Sequence, residues 1–396
     1  MRMPLLPVLL AALANLSPTP IRAQDFQPVA PLRPVTETYF GTPVVDNYRC
    51  MEKLDDPEVQ NWMKAQAAYT RRILDGLPGR AALLDRITAL SNAVTRRGGF
   101  VRRGQRYFYQ VSQPGDPVPR LCYRDGLKGE ERLLIDPGKL GQGTTTHYAL
   151  DYFVPSWDGK RLAYGVSTGG SEASVLHVME VETGNVLSEA IDRASDSVVS
   201  WRPDNRSFFY LRYLKRAPGT PPAEMMYNAR TYLHVIGSHP DGEGDAVVFG
   251  RGVAKGLDVP PGQGTYVLTW PASPYAIAVA NANMDDNPPT LFVARLDQVR
   301  GSATPWRRLA RVEDGVRQFE VSGSQFCFLS RRAHLAAASF RSLWPSLILP
   351  RPRSCFPRVE SSLLVWPWPR RGSMCANGTA LWPESYGLPW TTPRWP

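Results

Sequence analysis

Gly165-Val166-Ser167-Thr168-Gly169 has the spacing of a nucleophile elbow, where a serine on a sharp strand-to-helix turn attacks a carbonyl. Such a serine needs a helix N-terminus behind it, and a His and an acid later in the chain to handle its proton. The next residues are instead Gly170-Ser171-Glu172-Ala173 and the alternating run Ser174–Val181, so strands are predicted on both sides. Ser167 therefore reads as a strand residue. The histidines do not change this. His177 falls mid-strand, His234 within Tyr232–Gly237, His239 before the turn Pro240-Asp241-Gly242, His147 upstream in a loop and His334 near the C-terminus. Each reads as a structural or solvent histidine, and no catalytic residue is assigned.

Metal and cofactor chemistry find no better footing. Cys50, Cys122, Cys327, Cys355 and Cys375 are an odd, scattered set with no C-x-x-C pair, and the His and acids show no metal-ligand spacing. The thiols read as buried or incidental. Gly141-Gln142-Gly143 lacks the Lys-Ser/Thr and strand–helix setting of a phosphate loop. No metal and no cofactor are expected.

The elements that would position these residues fall into two kinds. Asp56, Pro57 and Glu58 form a helix start, with Val59, Trp62, Met63, Gln66, Tyr69 and Ile73 at helical spacing and Gly76 and Pro78 as the stop. The spacing predicts a buried face. A second amphipathic piece runs from Arg80 to about Asn92, with Leu83, Ile87 and Leu90 on one side. From about residue 99 the period becomes alternating. Phe100–Val111, Pro155–Val166, Trp201–Tyr213, Thr265–Ala280 and Phe319–Leu329 each read as an aromatic-bearing strand. Ser156–Tyr164, Ser200–Tyr210 and Ser322–Phe328 share a turn-then-strand pattern in which Asp158-Gly159 and Asp204-Asn205 supply tight turns before a half-buried strand. Units recurring every 45–60 residues or so fit four-stranded propeller blades, about five of them. A large β-sandwich is the alternative.

The net charge of +10 is confined to the ends: residues 24–330 hold 35 bases against 34 acids. A basic patch on the folded body is what nucleic-acid binding would need, so that function is not expected. Residues 1–23, with Arg2, the apolar run Leu5–Ala14 and Ile21-Arg22-Ala23, read as a secretory signal peptide, which predicts export. No other run is long and apolar enough to span a membrane. Residues 331–396 hold six of the 11 Trp and ten of the 37 Pro, nine Arg, no Lys and no Asp. That composition is what a GC-rich gene read out of frame gives, and a frameshift near Gln325–Arg332 is the reading. The alternative is an Arg/Trp/Pro-rich tail that binds a membrane surface or a partner.

Three segments together carry a resemblance. Val45-Asp46-Asn47-Tyr48-Arg49-Cys50-Met51-Glu52 with Leu54–Trp62 and Ala65-Gln66-Ala67-Ala68-Tyr69 is similar to the opening "D-x-Y-R-W-L-E" and "A-Q-x-A-Y" of prolyl oligopeptidases. Tyr164–Glu172 looks like their "Y-x-x-S-x-G-G-S-E/D", and Tyr232–Gly237 like their "Y-x-H-x-x-G". Cys50, Met51 and Lys53 depart from the family's usual Trp, Leu and Asp. The resemblance spans about 30–330. It implies a propeller that filters substrates by size above an α/β-hydrolase domain, whose Ser-His-Asp triad cleaves short peptides after proline. It also implies that the helical preface packs on that domain, leaving apolar surface exposed where the domain is missing.

These readings combine into an all-β chain: a partial β-propeller of the prolyl oligopeptidase type after an N-terminal helical segment, with the α/β-hydrolase domain absent. The expected organisation is a signal peptide at 1–23, an extended and helical segment at 24–92, a partial propeller at 93–330 and the aberrant tail at 331–396. The expected function is the substrate-gating propeller part of an exported serine endopeptidase, truncated and inactive as given. Short proline-containing peptides and the missing hydrolase domain are its implied partners. A stand-alone propeller that binds peptides or proteins without catalysis is the alternative.

Overall fold

The computed structural model describes residues 26–195, 198–215, 217, 228–241, 244–253, 256–257, 259–260, 263–282, 288–330 and 336–339. The signal-peptide reading at 1–23 and most of the 331–396 stretch, His334 included, lie outside the described residues. The chain divides into two compact units, Met1–Val94 and Thr95–Pro396.

In the first unit, β1 (Val35–Tyr39) and β2 (Thr42–Asp46) form an antiparallel hairpin turning at Phe40-Gly41. Arg49 ties this hairpin to the next stretch of chain by pairing with Glu37 and Asp46. Helix α1 (Pro57–Asp75) begins where the sequence predicts. The Asp56 carboxylate accepts the free amides of Glu58 and Val59, and Pro57 occupies the first turn, where no amide is needed. The predicted burial is only partly realised: Val59 is fully buried, whereas Met63 and Ile73 are about half exposed. Helix α2 (Arg80–Ser91) leaves Leu83, Ile87 and Leu90, its whole apolar side, exposed. Helical spacing marks an apolar face but not what covers it.

The second unit is a run of antiparallel meanders. Strands β3 (Arg96–Arg103), β4 (Arg106–Ser112), β5 (Arg120–Asp125) and β6 (Arg132–Ile135) make the first sheet. A short helix, α3 (Pro137–Leu140), leads to the second, β7 (Tyr148–Pro155), β8 (Arg161–Thr168), β9 (Val175–Glu180) and β10 (Val186–Ile191). The third holds β11 (Val199–Trp201), β12 (Ser207–Arg212), β13 (Arg230–Val235) and β14 (Ala246–Gly250). The fourth holds β15 (Gln263–Thr269), β16 (Tyr275–Ala282), β17 (Thr290–Arg295) and β18 (Arg307–Ala310). The fifth holds β19 (Val316–Ser322), β20 (Gln325–Ser330) and β21 (Ala336–Ser339). Strand β21 pairs in register with β20, so residues 336–339 extend the fifth sheet past position 330.

Each sheet is one blade of a propeller. Strands β3 and β7, β7 and β11, and β11 and β15 contact one another, which puts the first strands of these blades along a common inner line. The five segments that alternation predicts as single strands are hairpins: each spans the turn between a blade's first and second strand. Gly159, Asn205 and Gly323 take φ of 67°, 53° and 55° at three of those turns. Such left-handed positions favour Gly and Asn and explain the repeated Asp-Gly, Asp-Asn and Ser-Gly.

The core lies in the seams between blades. Strand β12 is buried along its whole length, where alternation predicts half burial. Phe208 and Tyr210 pack with Trp201, Tyr152 and Leu176 toward the second blade, while Phe209 joins Val267, Ala278 and Phe292 toward the fourth. On β16, Ala276, Ala278 and Ala280 meet the third blade, and Tyr275, Ile277 and Val279 meet the fifth. A blade with neighbours on both sides has no solvent face, so both phases of the period are apolar.

Candidate functional site

Three apolar or small residues explain the elbow-like motif without chemistry. Gly165 lies on β8 opposite Tyr152, and a Cβ there would sit 2.2 Å from the Tyr152 ring, so only glycine fits. Gly169 has φ of 60° where the strand turns out through Gly169-Gly170. Ser167 is buried within β8, and its hydroxyl donates to Asp151 Oδ1 at 3.0 Å. The Ser174 hydroxyl donates to the other oxygen of the same carboxylate. The residues directly after the motif form a turn and then β9, not a helix, and none of the described histidines is hydrogen-bonded to Ser167. The motif is a strand, its cross-strand anchor and a turn.

The described histidines lie apart from one another. His177 on β9 meets the Glu189 carbonyl through Nδ1 at 3.1 Å, with its ring 5.6 Å from Tyr164. His239 is exposed, and its Nδ1 accepts the Asp241 amide within the turn. His147 is exposed in the loop between α3 and β7, and Gly141-Gln142-Gly143 comes directly after the single turn of α3. Among the described residues no group of three His, Cys, Asp or Glu is arranged to hold a metal ion.

His234 differs. It is completely buried on β13, with its ring 5.0 Å from that of Phe208. Its Nδ1 lies 2.8 Å from Asp245 Oδ1, and Asp245 Oδ2 accepts the Tyr210 hydroxyl at 2.6 Å. Burial and the Asp245 charge hold the Tyr210 hydroxyl far above its ordinary value, so it stays a donor. From the second blade, the buried Glu189 of β10 reaches across to accept the Gly237 amide at 2.6 Å, with Oε1 3.9 Å from His234 Nε2. The "Y-x-H-x-x-G" segment thus supplies a seam. The sequence places His234 in that motif but carries no signal for Glu189 and Asp245, which lie far from it in the chain or outside the motif.

The other seams use different chemistry. Trp157 donates its indole N–H to the Trp201 carbonyl at 2.6 Å, and Trp201 donates back to Val154 at 2.9 Å. Thr269 donates to the Trp201 carbonyl at 2.7 Å, tying the third blade to the fourth. Arg106 bridges the first blade to the second through Glu182 and the Gly159 carbonyl while lying over the Tyr123 ring at 4.6 Å. Arg212, nearly buried on β12, pairs with Asp192 and Asp241. The polar groups of this unit hold blades together. They form no hydrolytic constellation among the described residues.

A cleft of about 300 Å³ lies between the third and fourth blades, lined by Arg202, Pro203, Asp204, Pro274, Arg295 and Asp297 among others. Asp204 is used by its own turn and Asp297 by Arg295. The Arg202 guanidinium donates to the Leu296 carbonyl at 3.5 Å, repeating the way Arg161 reaches the Asn205 carbonyl one blade earlier. This cleft is a gap between turns rather than a catalytic pocket.

Comparison with known proteins agrees with this architecture. The family described as prolyl oligopeptidase, N-terminal beta-propeller domain, matches residues 28–255. A prolyl endopeptidase of Elizabethkingia meningoseptica is 29% identical over 203 residues, covering 51% of this chain and 28% of that protein. Prolyl oligopeptidase A of Amanita bisporigera is 25% identical over 346 residues, covering 77% of this chain and 42% of that protein. Among solved structures, one from a study of two prolyl endopeptidases and their inter-domain dynamics superposes with a TM-score of 0.65 at 24% identity, over 79% of this chain and 44% of the other. Prolyl oligopeptidase B from Galerina marginata, bound to a 35-mer hydrolysis and macrocyclization substrate, gives a TM-score of 0.60 at 19% identity over 79% and 47% of the chains. The chain spans less than half the length of each of these relatives. With four-stranded meanders in succession, an inner line of first strands and a family match over more than half its length, this chain belongs to the prolyl oligopeptidase N-terminal beta-propeller family.

Proposed function

We propose that these residues are the substrate-gating propeller of an exported prolyl-oligopeptidase-type serine endopeptidase, and that by themselves they cleave no peptide. The observation that carries this reading is the run of blades whose buried Ser, His and acid side chains, among the described residues, bond within strands, turns and seams. Ser167, the residue with nucleophile spacing, is bonded to Asp151 and has no histidine beside it among the described residues. The propeller would admit short proline-containing peptides and exclude folded chains, and the exposed apolar sides of α1 and α2 would receive a hydrolase domain. The composition of residues 1–23 supports export, and that of residues 331–396 supports a reading-frame change near Gln325–Arg332.

The test is turnover of a Gly-Pro chromogenic peptide by the purified 396-residue chain. No turnover is expected, and turnover abolished by Ser167→Ala would overturn the proposal. The four apolar seams within the second unit favour a second reading, a propeller that binds peptides without catalysis. Saturable binding of proline peptides together with a cooperative melt would support that reading.

A further inference from the structure

The seam between the second and third blades contains a conflict of acceptors. His234 Nδ1 faces Asp245, which already receives the hydroxyls of Tyr210 and Ser238. A carboxylate only accepts, so Nδ1 carries a proton. On its other side Nε2 faces the Glu189 carboxylate at 3.9 Å, and neither Nε2 nor Glu189 Oε2 has a hydrogen-bond partner among the described residues. Glu189 and His234 are both fully out of water, with 1% and 0% of their side chains exposed. A bare Nε2 would set a lone pair against a buried anion, an arrangement with two acceptors and nothing to share.

We infer that His234 is held as an imidazolium clasped between Asp245 of its own blade and Glu189 of the neighbouring one. The proton on Nε2 turns the Glu189 contact from repulsive to attractive and makes it a structural component of the seam. The charged and titratable groups facing the ring are Glu189 from β10, Asp245 from the segment before β14, and Tyr210 from β12, with Phe208 as its apolar wall. His177 on β9 meets the Glu189 carbonyl and lies beside the Tyr164 ring, and further along the seam Arg212, Arg193, Asp192 and Asp241 balance one another. The clasp keeps one net negative charge, which the Tyr210 and Ser238 hydroxyls and the Gly237 amide face with their donor ends. Without that proton the conflict between Nε2 and the Glu189 carboxylate returns.

Nitrogen-15 NMR of the histidine-labelled full chain tests this, with the His234 signals identified by their loss in His234→Gln. At neutral pH both ring nitrogens should resonate as protonated. In Glu189→Gln, whose amide can donate to Nε2, one nitrogen should become unprotonated while the blade seam persists. An unprotonated Nε2 in the unaltered chain overturns the inference, whatever the variants do. As a second readout, hydrogen exchange at constant pH in β10 and β13 should accelerate in His234→Gln, while that in β16 and β17 does not. Equal acceleration across all blades overturns the assignment of the clasp to this seam.

Discussion

Gly165→Ala puts the structural account of the elbow-like motif at risk. A Cβ at position 165 would lie 2.2, 2.4 and 2.8 Å from three atoms of the Tyr152 ring. The ring cannot stay, and forcing extra volume into a packed core costs about 1–3 kcal/mol. When it moves, the Tyr152 hydroxyl leaves the Ala194 carbonyl it meets at 2.6 Å in a buried setting, and an unpaired buried group costs a further 1–3 kcal/mol or so. The total is about 2–6 kcal/mol. For a domain of this size, at about 2–4 °C per kcal/mol, that lowers the thermal midpoint by about 4–24 °C. Differential scanning calorimetry or circular dichroism reads it, and a double-mutant cycle sharpens it. In a Tyr152→Ala background the clash is gone, so Gly165→Ala should then cost less than about 0.5 kcal/mol. A neutral Gly165→Ala in the unaltered chain would refute the reasoning, because the glycine would then need another explanation.

Trp201→Phe removes the indole donor to the buried Val154 carbonyl and should cost about 1–3 kcal/mol in denaturant unfolding, with β7 the first strand to gain hydrogen exchange. The Cys122 thiol is pushed up to about 11 by burial, so it should stay unlabelled by Ellman's reagent at pH 8 and react on unfolding. At Asp192 burial raises the carboxyl, but hydrogen bonds from Arg212 and Arg193 outweigh it and hold it below the ordinary range. Its contribution is therefore full above the unfolded value of about 3.9 and lost as pH falls through the lower folded value, so Asp192→Asn should flatten the acid limb of the melting-temperature profile.

How much of this was legible in the sequence depends on the range of the cause. The start of α1 is local: Asp56 bonds amides two and three residues away, and a cap-then-proline spelling announces it. The turns at Asp158-Gly159 and Asp204-Asn205 are local too, since a left-handed residue must sit at a fixed place in the hairpin. Burial of β12 on both faces was not legible, because it depends on Tyr152 from one blade and Phe292 from another. The exposed side of α2 shows the same gap in reverse: Leu83, Ile87 and Leu90 line up as a core face would, yet exposure is set by what lies opposite. Ser167 was separable from a nucleophile by its strand context alone. Glu189 and Asp245 could not be joined to His234 without the fold, since Glu189 and His234 lie on strands of different blades.

The most direct test of the central claim is labelling of the purified 396-residue chain with a fluorophosphonate probe, which reports an activated serine without presupposing a substrate. The folded chain should stay unlabelled, with Ser167 bonded to Asp151 inside a blade. Stoichiometric labelling that disappears in Ser167→Ala would contradict it.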